Sequence, residues 1–501
     1  MSEEVRVDTV VVGAGNAALC AAIAAANEGA DVLVLERAPE AKKGGNSFFT
    51  DGAIRFAFNN GLVDLRLVKQ DMSEEEAAKI QVEPYTEENY WEDFNRMTEG
   101  KCDEELVRNL ISNSFDTILW LKENGVAFEM NYDNQSFEQN GMYHFFGGNP
   151  MKVVDKGIGL MAFLNKRLEG LSVPVWYNSR ATEVIQEKGR VTGVNVEKDG
   201  QTIQVHANSV ILACGSFEGS KEMRGTYMGS QWAGAIVRGT EYNTGDGLSM
   251  ALDAGGVKHG DWSDCHSIST DFNAPRVGDF EKPGDIFKKH SYPYGLMINT
   301  EGKRFVDEGA DIRNYTYAKY GKEVLKQPGN KAYQVFDHQV RHLLRKEYEL
   351  DEATKYEAKT LEELADQLDV AKENFFETVK AYNAAVQDGD FDPSKKDGKH
   401  TEGITPPKSN WAQELKEGPF YAFPVTCGIT FNFGGVLVSQ HGEVLDDQRK
   451  PIEGLYAAGE MVGGLFYHNY PGASGLMSGA VYGRLAGKAA AAFAKNDSTQ
   501  V

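Results

Sequence analysis

Cysteine is scarce in this chain and is never closely paired. The 501 residues contain five cysteines, and none of them forms a CxxC or CxxCH motif. The signatures of a zinc site, an iron–sulfur cluster and a covalently attached haem are therefore absent from the sequence. We predict no metal centre, and scattered single cysteines are typical of reduced thiols in the cytoplasm.

The sequence also has no long hydrophobic run. The alanine-rich stretch at residues 17–27 is shorter than the roughly 18 apolar residues that suggest a transmembrane helix. No signal-peptide pattern precedes the first predicted strand, which begins at about residue 7. We therefore expect a cytoplasmic protein that does not insert directly into a membrane.

Positive charge is in the minority, with 52 Lys and Arg against 74 Asp and Glu and a net charge of −22. Nucleic-acid binding needs clustered cations, so we expect no nucleic-acid partner. A small anionic substrate remains compatible, because a basic pocket can lie inside an acidic protein. The length predicts two or three domains. The 53 glycines suit a backbone that approaches a phosphate-bearing cofactor in several places.

The strongest local pattern lies near the N-terminus. A predicted buried strand at residues 7–12 leads into the motif GAGNAA at residues 13–18, then into an alanine-rich helix and a second strand ending at Glu36. Gly13 makes the tight turn, Gly15 lets the backbone approach a pyrophosphate, and Ala18 allows the helix to pack closely on the strand. The helix N-terminus favours phosphates, and Glu36 stands where an acid accepts hydrogen bonds from ribose hydroxyls. The pattern predicts a Rossmann-like dinucleotide site.

Three later segments favour FAD over NAD as the dinucleotide. The motif GGNS begins at Gly44, a strand within residues 209–219 ends in small residues, and GLYAAGE at residues 454–460 leads into a Gly- and Ala-rich helix. A long cofactor folded against separate segments explains this spread. The predicted cofactor-binding residues are Gly13, Gly15, Asn16, Ala17, Ala18, Glu36, Arg37, Gly44, Gly45, Asn46, Ser47, Gly52, Ala181, Ala213, Gly215, Asp246, Glu460, Gly475 and Leu476.

Further segments carry a resemblance over nearly the whole chain. They are NTGDGLSMALDAGG at residue 243, GLMINTEGKRFVDEGADIRNYTYAKYG at residue 295 and PFYAFPVTCGITFNFGGV at residue 419. With the motifs above, the chain resembles the flavoproteins of the fumarate reductase and succinate dehydrogenase family, most closely the FAD-dependent tricarballylate dehydrogenases. The resemblance implies an α/β fold in which a split Rossmann-like FAD-binding domain, residues 1–260 and 430–501, carries an inserted capping domain, residues 261–429.

The resemblance also implies catalytic residues. In fumarate reductases an arginine shortly after the GKRF segment exchanges a proton with the substrate, and Arg313 matches it with one extra residue in between. An arginine can do this in a dry site if acids hold it, and Asp307, Glu308 and Asp311 are candidates for such a relay. His266 matches a histidine that holds a substrate carboxylate.

Two family cations are missing. Phe431 stands where the family has a second carboxylate-binding histidine, and Tyr470 stands where it has a carboxylate-binding arginine. Tyr470 is therefore a candidate catalytic residue. Further candidate substitutes are Thr430, His468 and Asn469, with the polar and aromatic cluster His290, Ser291, Tyr292 and Tyr294. The Tyr-Pro-Gly segment is also similar to that of flavin-dependent ketosteroid dehydrogenases, in which a tyrosine polarises a carbonyl.

The resemblance implies oxidation of tricarballylate to cis-aconitate by hydride transfer to the flavin, with Arg313 transferring the proton. The alternatives are an ene-reductase of another α,β-unsaturated acid, a ketosteroid dehydrogenase-like enzyme, and a flavin-bearing electron-transfer subunit with a vestigial pocket. We expect non-covalent FAD, because no histidine precedes His144 to carry the covalent bond of the family's membrane complexes. With no relay of its own, the chain is expected to use a separate, membrane-bound electron-transfer protein.

Overall fold

The computed structural model describes residues 5–282 and 285–498. The outer ends of the predicted FAD-binding domain, residues 1–4 and 499–501, and two residues of the predicted capping domain, 283 and 284, lie outside the described residues.

The described residues form thirteen α-helices and twenty-two strands. Helices α1 to α13 are Asn16–Asn27, Leu62–Val68, Glu74–Ala77, Glu87–Met97, Glu104–Glu123, Tyr132–Gln135, Lys156–Gly170, Lys221–Tyr227, Asp246–Asp253, Tyr320–Leu325, Leu361–Gln367, Lys372–Ala385 and Ser474–Ser498. Strands β1 to β22 are Val5–Val12, Val32–Leu35, Ala53–Ile54, Ile80–Val82, Phe128–Met130, Ser136–Gln139, Met142–Phe145, Met151–Val153, Val175–Trp176, Ser179–Glu187, Arg190–Lys198, Gln201–Leu212, Ile236–Val237, Lys258–His259, Cys265–Asp271, Leu296–Asn299, Ala332–Phe336, Tyr356–Ala358, Phe420–Asn432, Gly435–Val436, Glu443–Leu445 and Pro451–Ala457.

The first sheet has eight strands and brings the two ends of the chain together. Its path runs β10-β11-β12-β1-β2-β9, and β22 joins it by pairing in parallel with β12. Strand β1 lies between β12 and β2, is parallel to both, and ends in four buried residues. The carboxyl ends of β1, β2, β12 and β22 therefore meet at one edge of the sheet, where ligands of open α/β sheets bind.

Glycines let the C-terminal helix α13 pack directly on α1. A Cβ on Gly483 would stand 2.4 Å from the carbonyl oxygen of Ala17, and one on Gly487 would stand 2.3 Å from that of Ala21. The small residues of both helices thus allow their backbones to come into contact. This packing confirms the predicted α/β fold and positions the starts of α1 and α13 on one side of the sheet.

A second, six-stranded sheet is built around the long strand β19. Its path is β13-β19-β17-β16, and β15 and β18 also pair with β19. The first predicted domain boundary, between residues 260 and 261, falls between β13 (Ile236–Val237) and β15 (Cys265–Asp271). The second, between residues 429 and 430, falls inside β19 (Phe420–Asn432). Both predicted domain boundaries therefore fall close to or inside elements of this sheet, and the division into domains stays a prediction.

Membrane-crossing helices are not found among the described residues. No helix there combines the length with the apolar character that a bilayer crossing requires.

Candidate active site

An elongated cleft lies at the sheet edge where β1, β2, β12 and β22 end. It encloses about 1560 Å³ of empty space, its open mouth included. We call it the cofactor cleft. Every predicted cofactor-binding residue lines it except Ala18, Gly44 and Gly52. Segments from the beginning, the middle and the end of the chain thus meet here, as a long dinucleotide requires.

The glycine loop after β1 fits the backbone tightly against β12. The Gly13 N–H donates to the carbonyl of Leu35 (2.7 Å), and the residue has a positive φ of 109°. A Cβ at Gly13 would stand 2.5 Å from the carbonyl oxygen of Ala213. Gly15, the N-cap residue of α1, provides no capping side chain, and the Asn16 N–H donates to Ser47 Oγ (3.0 Å). Backbone N–H groups at a helix N-terminus favour a phosphate. The loop therefore leaves backbone, rather than side chains, facing the cofactor.

The three exceptions shape the loops without facing the cleft. Ala18 is a fully buried residue of α1. Gly44 has a φ of +107°, and a Cβ there would stand 3.0 Å from Met161 Cγ. Gly52 has a φ of +78°, and a Cβ there would stand 2.7 Å from Lys156 Cα. Their small size serves close packing, which the motif indicated for Ala18 and which the sequence could not distinguish from cofactor contact for the two glycines.

Several charged side chains line the cofactor cleft. Glu36 is 6% exposed, accepts a hydrogen bond from the Ala38 N–H (2.7 Å), and has its pKa raised by burial. Arg37 pairs with Asp246 (2.9 Å), which also accepts from Arg180 (2.8 Å). Glu36 is thus a fixed carboxyl group suited to ribose hydroxyls. This donor and acceptor set fits a bound dinucleotide.

A buried carboxyl pair lies beside the cleft, and the sequence predicted only one of its members. Glu460 accepts a hydrogen bond from the Asn432 N–H (2.9 Å), and Glu218 accepts from Asn46 Nδ2 (2.7 Å). Burial raises the pKa of both carboxyl groups, and Glu218 further raises the pKa of Glu460. Two adjacent buried carboxylates repel each other, which favours a protonated form of the pair over the doubly charged one. The sequence feature that could have identified Glu218 is its position as an acid shortly after the end of β12.

A second cleft, of about 1090 Å³, opens beside the first. We call it the substrate cleft. The two share seven lining residues, which mark their junction: Asn46, Thr50, Ala53, His266, Thr430, Tyr470 and Ala473. Arg313 lines only the substrate cleft. The fold therefore brings the three predicted catalytic residues, His266, Arg313 and Tyr470, to one place next to the cofactor cleft.

His266 is a neutral, unpartnered ring at the junction. It is 4% exposed, and neither ring nitrogen has a hydrogen-bond partner among the described residues. Burial, and then the charge of Arg238, hold the pKa of His266 well below its ordinary value. Its ring lies 5.4 Å from that of Tyr317, 5.3 Å from that of Phe431 and 4.7 Å from that of Tyr470. His266 is therefore available to hydrogen-bond a ligand as a neutral imidazole.

Arg313 has no acidic partner within residues 5–282 and 285–498. It donates to Asn314 Oδ1 (2.7 Å), and its guanidinium lies 5.7 Å from the centre of the Tyr317 ring. Burial, followed by the nearby charge of Arg345, lowers the pKa of Arg313. A desolvated guanidinium next to another cation holds its proton less firmly than one in water.

The acids predicted to form a relay with Arg313 contact other groups. Glu308 pairs with Arg304 (2.6 Å), Asp311 pairs with Lys396 (3.4 Å) and also with Arg96, and Asp307 accepts from the Ser409 N–H (3.0 Å). These contacts fix the turn that carries Arg313. The acids thus hold the backbone of the loop, whereas the sequence suggested that they contact the guanidinium.

Tyr470 is one half of a phenol pair. The Tyr317 hydroxyl donates to the Tyr470 hydroxyl (2.9 Å), and burial raises the pKa of Tyr470. The rings of Tyr470 and Phe431 lie 5.2 Å apart. At the two positions where the family has carboxylate-binding side chains, this chain therefore has the aromatic rings of Phe431 and Tyr470, and Tyr470 carries a phenol hydroxyl. We call these two rings and that of Tyr317 the aromatic wall. Of the other candidate substitutes, Thr430 and His290 line the substrate cleft, whereas His468 does not and contacts Lys101.

Four further cations line the substrate cleft, and sequence reasoning missed all of them: Arg55, Arg238, Lys288 and Arg345. Each has an acidic neighbour. Arg55 pairs with Asp93 (2.7 Å), Lys288 and Arg345 lie 3.3 and 3.7 Å from Glu347, and Arg238 pairs with Asp285. Single cations in ordinary local sequence give no signal, because only the fold brings them together. Arg313 is thus the one cleft cation without an ion-pair partner in the described part of the chain.

One cluster of metal-ligating groups lies outside both clefts. Ligand atoms of Asp261, Asp264 and His468 lie within 4.8 Å of one another. Lys322 pairs with Asp264 (2.6 Å) and Lys101 lies 2.6 Å from His468 Nε2, so ammonium groups already contact two of the three.

Comparison with known proteins agrees with this architecture. A family profile described as "FAD binding domain" matches residues 8–476. The chain is 29% identical over 495 residues to a fumarate reductase (cytochrome) of Shewanella frigidimarina, covering 98% of this chain and 78% of that protein. It is 27% identical over 527 residues to a vinyl phenol reductase of Lactiplantibacillus plantarum, covering 98% and 97%.

A solved structure shows the same fold. The open conformation of a flavocytochrome c3 fumarate reductase superimposes with a TM-score of 0.74 at 26% identity, covering 98% of this chain and 79% of that one. The glycine cradle, the buried carboxyl at Glu36 and the matched family together identify FAD as the cofactor. The chain therefore belongs to the FAD binding domain family, among the flavoproteins of the fumarate reductase and succinate dehydrogenase type, and is an FAD-dependent oxidoreductase that acts on CH–CH bonds.

Proposed function

We propose that the protein exchanges a hydride and a proton across a CH–CH bond next to a carboxylate, with tricarballylate and cis-aconitate as the first substrate pair to test. The observation that carries this proposal is the position of Arg313. It is the cleft cation without an acid partner in the described residues, and it shares the substrate cleft with His266 and Tyr470, which also line the cofactor cleft. A free, partly desolvated cation there suits a proton-transfer group.

Each side chain has a distinct role in this proposal. Bound FAD supplies the hydride acceptor in the oxidising direction and the hydride donor in the reducing direction. Arg313 takes the proton from the neighbouring carbon during oxidation and returns it during reduction. The lowered pKa of Arg313 makes its neutral form more accessible, which oxidation requires. The neutral ring of His266 hydrogen-bonds a substrate oxygen.

Arg238 is our candidate for the cation that binds a substrate carboxylate in place of the two missing family residues. Its guanidinium donates to Thr430 at the junction, and its Nε has no hydrogen-bond partner among the described residues. It lines the substrate cleft together with His266 and Tyr470. Its two terminal nitrogens contact Thr430 and Asp285, so the Nε–H is the group that would donate to a substrate carboxylate.

The test is a panel of carboxylic acids followed by flavin absorbance without oxygen. Tricarballylate is expected to bleach the oxidised flavin, and cis-aconitate to restore the colour of the reduced flavin. If neither direction proceeds with any saturated or unsaturated acid, the proposal fails, and the electron-transfer subunit with a vestigial pocket becomes the better explanation.

A second candidate is a reductase of an unsaturated acid with an aromatic part. The observation in its favour is the aromatic wall formed by Phe431, Tyr470 and Tyr317, where two family cations are missing. The vinyl phenol reductase among its relatives supports this candidate. The phenol pair could also polarise a ketone, as in the ketosteroid dehydrogenase-like alternative. The same panel, extended to aryl acrylic acids and a ketosteroid, separates these substrates.

A cytoplasmic location, non-covalent FAD and a separate electron-transfer protein belong to the same proposal. The expected partner accepts or supplies electrons through the flavin, because the sequence contains no paired cysteines for a relay. Turnover supported by a membrane fraction, and lost without it, would support a membrane-bound partner.

A further inference from the structure

Three amide side chains in the substrate cleft have unsatisfied oxygens. Asn131, Gln135 and Asn149 are 1%, 5% and 5% exposed, and all three line the cleft. Asn131 Oδ1, Gln135 Oε1 and Asn149 Oδ1 are buried and have no hydrogen-bond partner among the described residues. Buried polar atoms are normally satisfied, so a group of three in one cleft points to a ligand. We call these residues the amide shelf.

The amide shelf is built by α6 with its preceding residue Asn131 and by the segment at residues 146–150, and backbone hydrogen bonds hold the two against each other. The Asn131 N–H donates to the carbonyl of Pro150 (2.8 Å), and the Phe146 N–H donates to the carbonyl of Gln135 (3.2 Å). The side-chain oxygens of Asn149 and Gln135 lie 3.8 and 4.0 Å from the point that a Cβ of Gly147 would occupy. Gly147 thus leaves open space between two unpartnered acceptors.

Backbone hydrogen bonds give the distance between the shelf and the reacting end of the cleft. The Phe56 N–H donates to the carbonyl of Gly148 (3.0 Å), and the adjacent Arg55 N–H donates to the carbonyl of Ala473 (3.2 Å). Ala473 is a junction residue. Segments bonded in this way lie about 5 Å apart, so the shelf and the junction are separated by about 10 Å. A ligand that contacts both is elongated.

The chemistry of the shelf selects the distal group of that ligand. Three amide oxygens accept hydrogen bonds, so they need a donor. A cationic donor is disfavoured, because Arg55, Lys288 and Arg345 line the same cleft. A distal carboxylate offers no proton to share with these acceptors. A neutral hydroxyl or N–H group fits.

We propose that the amide shelf binds a neutral hydroxyl or N–H group at the distal end of an elongated α,β-unsaturated acid whose reacting bond lies at the junction. This inference rests on the proposed function and favours the second of its two substrate candidates.

The test compares three aryl acrylic acids that differ only at the distal position. The FAD-loaded enzyme is reduced, and its re-oxidation is followed with 4-hydroxycinnamate, 4-methoxycinnamate and unsubstituted cinnamate. We expect kcat/KM for the hydroxyl compound to exceed that for the other two by about tenfold, the usual size of one buried hydrogen bond. The methoxy compound retains the bulk of the substituent but cannot donate.

Variants of the shelf locate the effect. Gln135→Leu and Asn149→Leu are expected to bring the hydroxyl-to-methoxy ratio close to one, mainly through a higher KM for the hydroxyl compound. The matched control is Asn165→Leu, which replaces a buried amide that bonds Met161 within α7 and lines neither cleft. FAD content and thermal melting report whether each variant is folded. If a shelf variant fails to fold, the three-compound comparison in the unmodified enzyme still decides.

The outcomes separate the two proposals. Equal turnover of the three compounds, or a faster reaction with cis-aconitate than with the hydroxyl acid, overturns the amide-shelf inference and leaves the proposed function standing. No re-oxidation by any unsaturated acid overturns both. A hydroxyl preference that persists in both shelf variants shows that another group recognises the donor and overturns the assignment to these residues.

Discussion

The cofactor cleft and the substrate cleft meet at His266 and Tyr470 but are built in different ways. Loops at the ends of parallel strands contribute to the first, and glycines are required where chain segments approach closely. Side chains from many separate segments form the second, including cations, rings and amides. A backbone-built site leaves a strong trace in local sequence, whereas a site built from side chains can change its substrate without changing the fold.

The largest expected effect tests the backbone-built side. Gly13→Val forces a side chain into a left-handed position and against the carbonyl of Ala213, which a Cβ would approach to 2.5 Å. We expect purified protein without FAD. The control is Gly225→Ala, because a Cβ there meets nothing within 4 Å. Flavin released by acid precipitation is the measurement, and it also tests non-covalent attachment, since flavin that stays with the wild-type pellet contradicts it.

The next effect tests the proton-transfer role on the other side. Arg313→Lys and Arg313→Ala are expected to lower kcat by about 10²- to 10⁴-fold, the usual contribution of a general acid or base. FAD content should be unchanged, because Arg313 does not line the cofactor cleft. Arg108→Lys, at an exposed position on α5, is the control. Turnover within a few-fold of wild type in Arg313→Ala would remove this residue from the proton-transfer step.

A smaller effect is expected for the proposed carboxylate-binding cation. Arg238→Met removes the guanidinium that contacts Thr430 and keeps most of its length. Breaking a charge-assisted hydrogen bond costs about 1.5–3 kcal/mol, so KM for the acid should rise by about 10- to 100-fold. Initial rates over a range of acid concentrations separate KM from kcat. A lower kcat at unchanged KM would instead assign Arg238 to the chemical step.

The smallest effect concerns pH and the two buried histidines. Burial lowers the pKa of His266 and of His290, and the charges of Arg313, Lys288, Arg345 and Arg238 further lower that of His290. Below about pH 6.5 the unfolded chain therefore binds more protons than the folded chain. Stability should fall with decreasing pH, by up to about 1.4 kcal/mol per pH unit for each histidine, and this loss should be absent above neutral pH.

The measurement is the melting temperature at pH 5.5 and pH 7.5 with excess FAD. His290→Asn should show a smaller difference between the two values than wild type, whereas His441→Asn, at an exposed position, should not. An unchanged difference in His290→Asn would show that His290 is protonated in the folded protein.

The sequence predicted the FAD fold because its signals are local. The GAGNAA loop, the strand before it and Glu36 lie within about thirty residues, and each has one physical role in such a site. The resemblance also led to His266, Arg313 and Tyr470, which the fold brings into one cleft. Ala18, Gly44 and Gly52 were among the predicted cofactor-binding residues and do not line the cofactor cleft. For Ala18 the motif already indicated a packing role, whereas a glycine has the same appearance in either role.

Other parts of the site had no local signal. The predicted relay acids bond Arg304, Lys396 and Ser409, because a turn dense in charge can satisfy its acids in many ways. Arg238 and the residues of the amide shelf stand in ordinary local sequence, in loops and in the short helix α6. Their proximity depends on how the folded segments pack around the junction. The linear sequence does not contain those distances.

The sequence by itself determined the cofactor class and the fold, since the backbone requirements of a dinucleotide impose glycines at fixed positions beside a strand and a helix. The tertiary structure alone decided which cations remain unpaired, which rings replace the two missing family residues and which buried amides lack partners. Charge balance and hydrogen-bond satisfaction are properties of a packed neighbourhood, and that neighbourhood exists only after the distant segments have folded together.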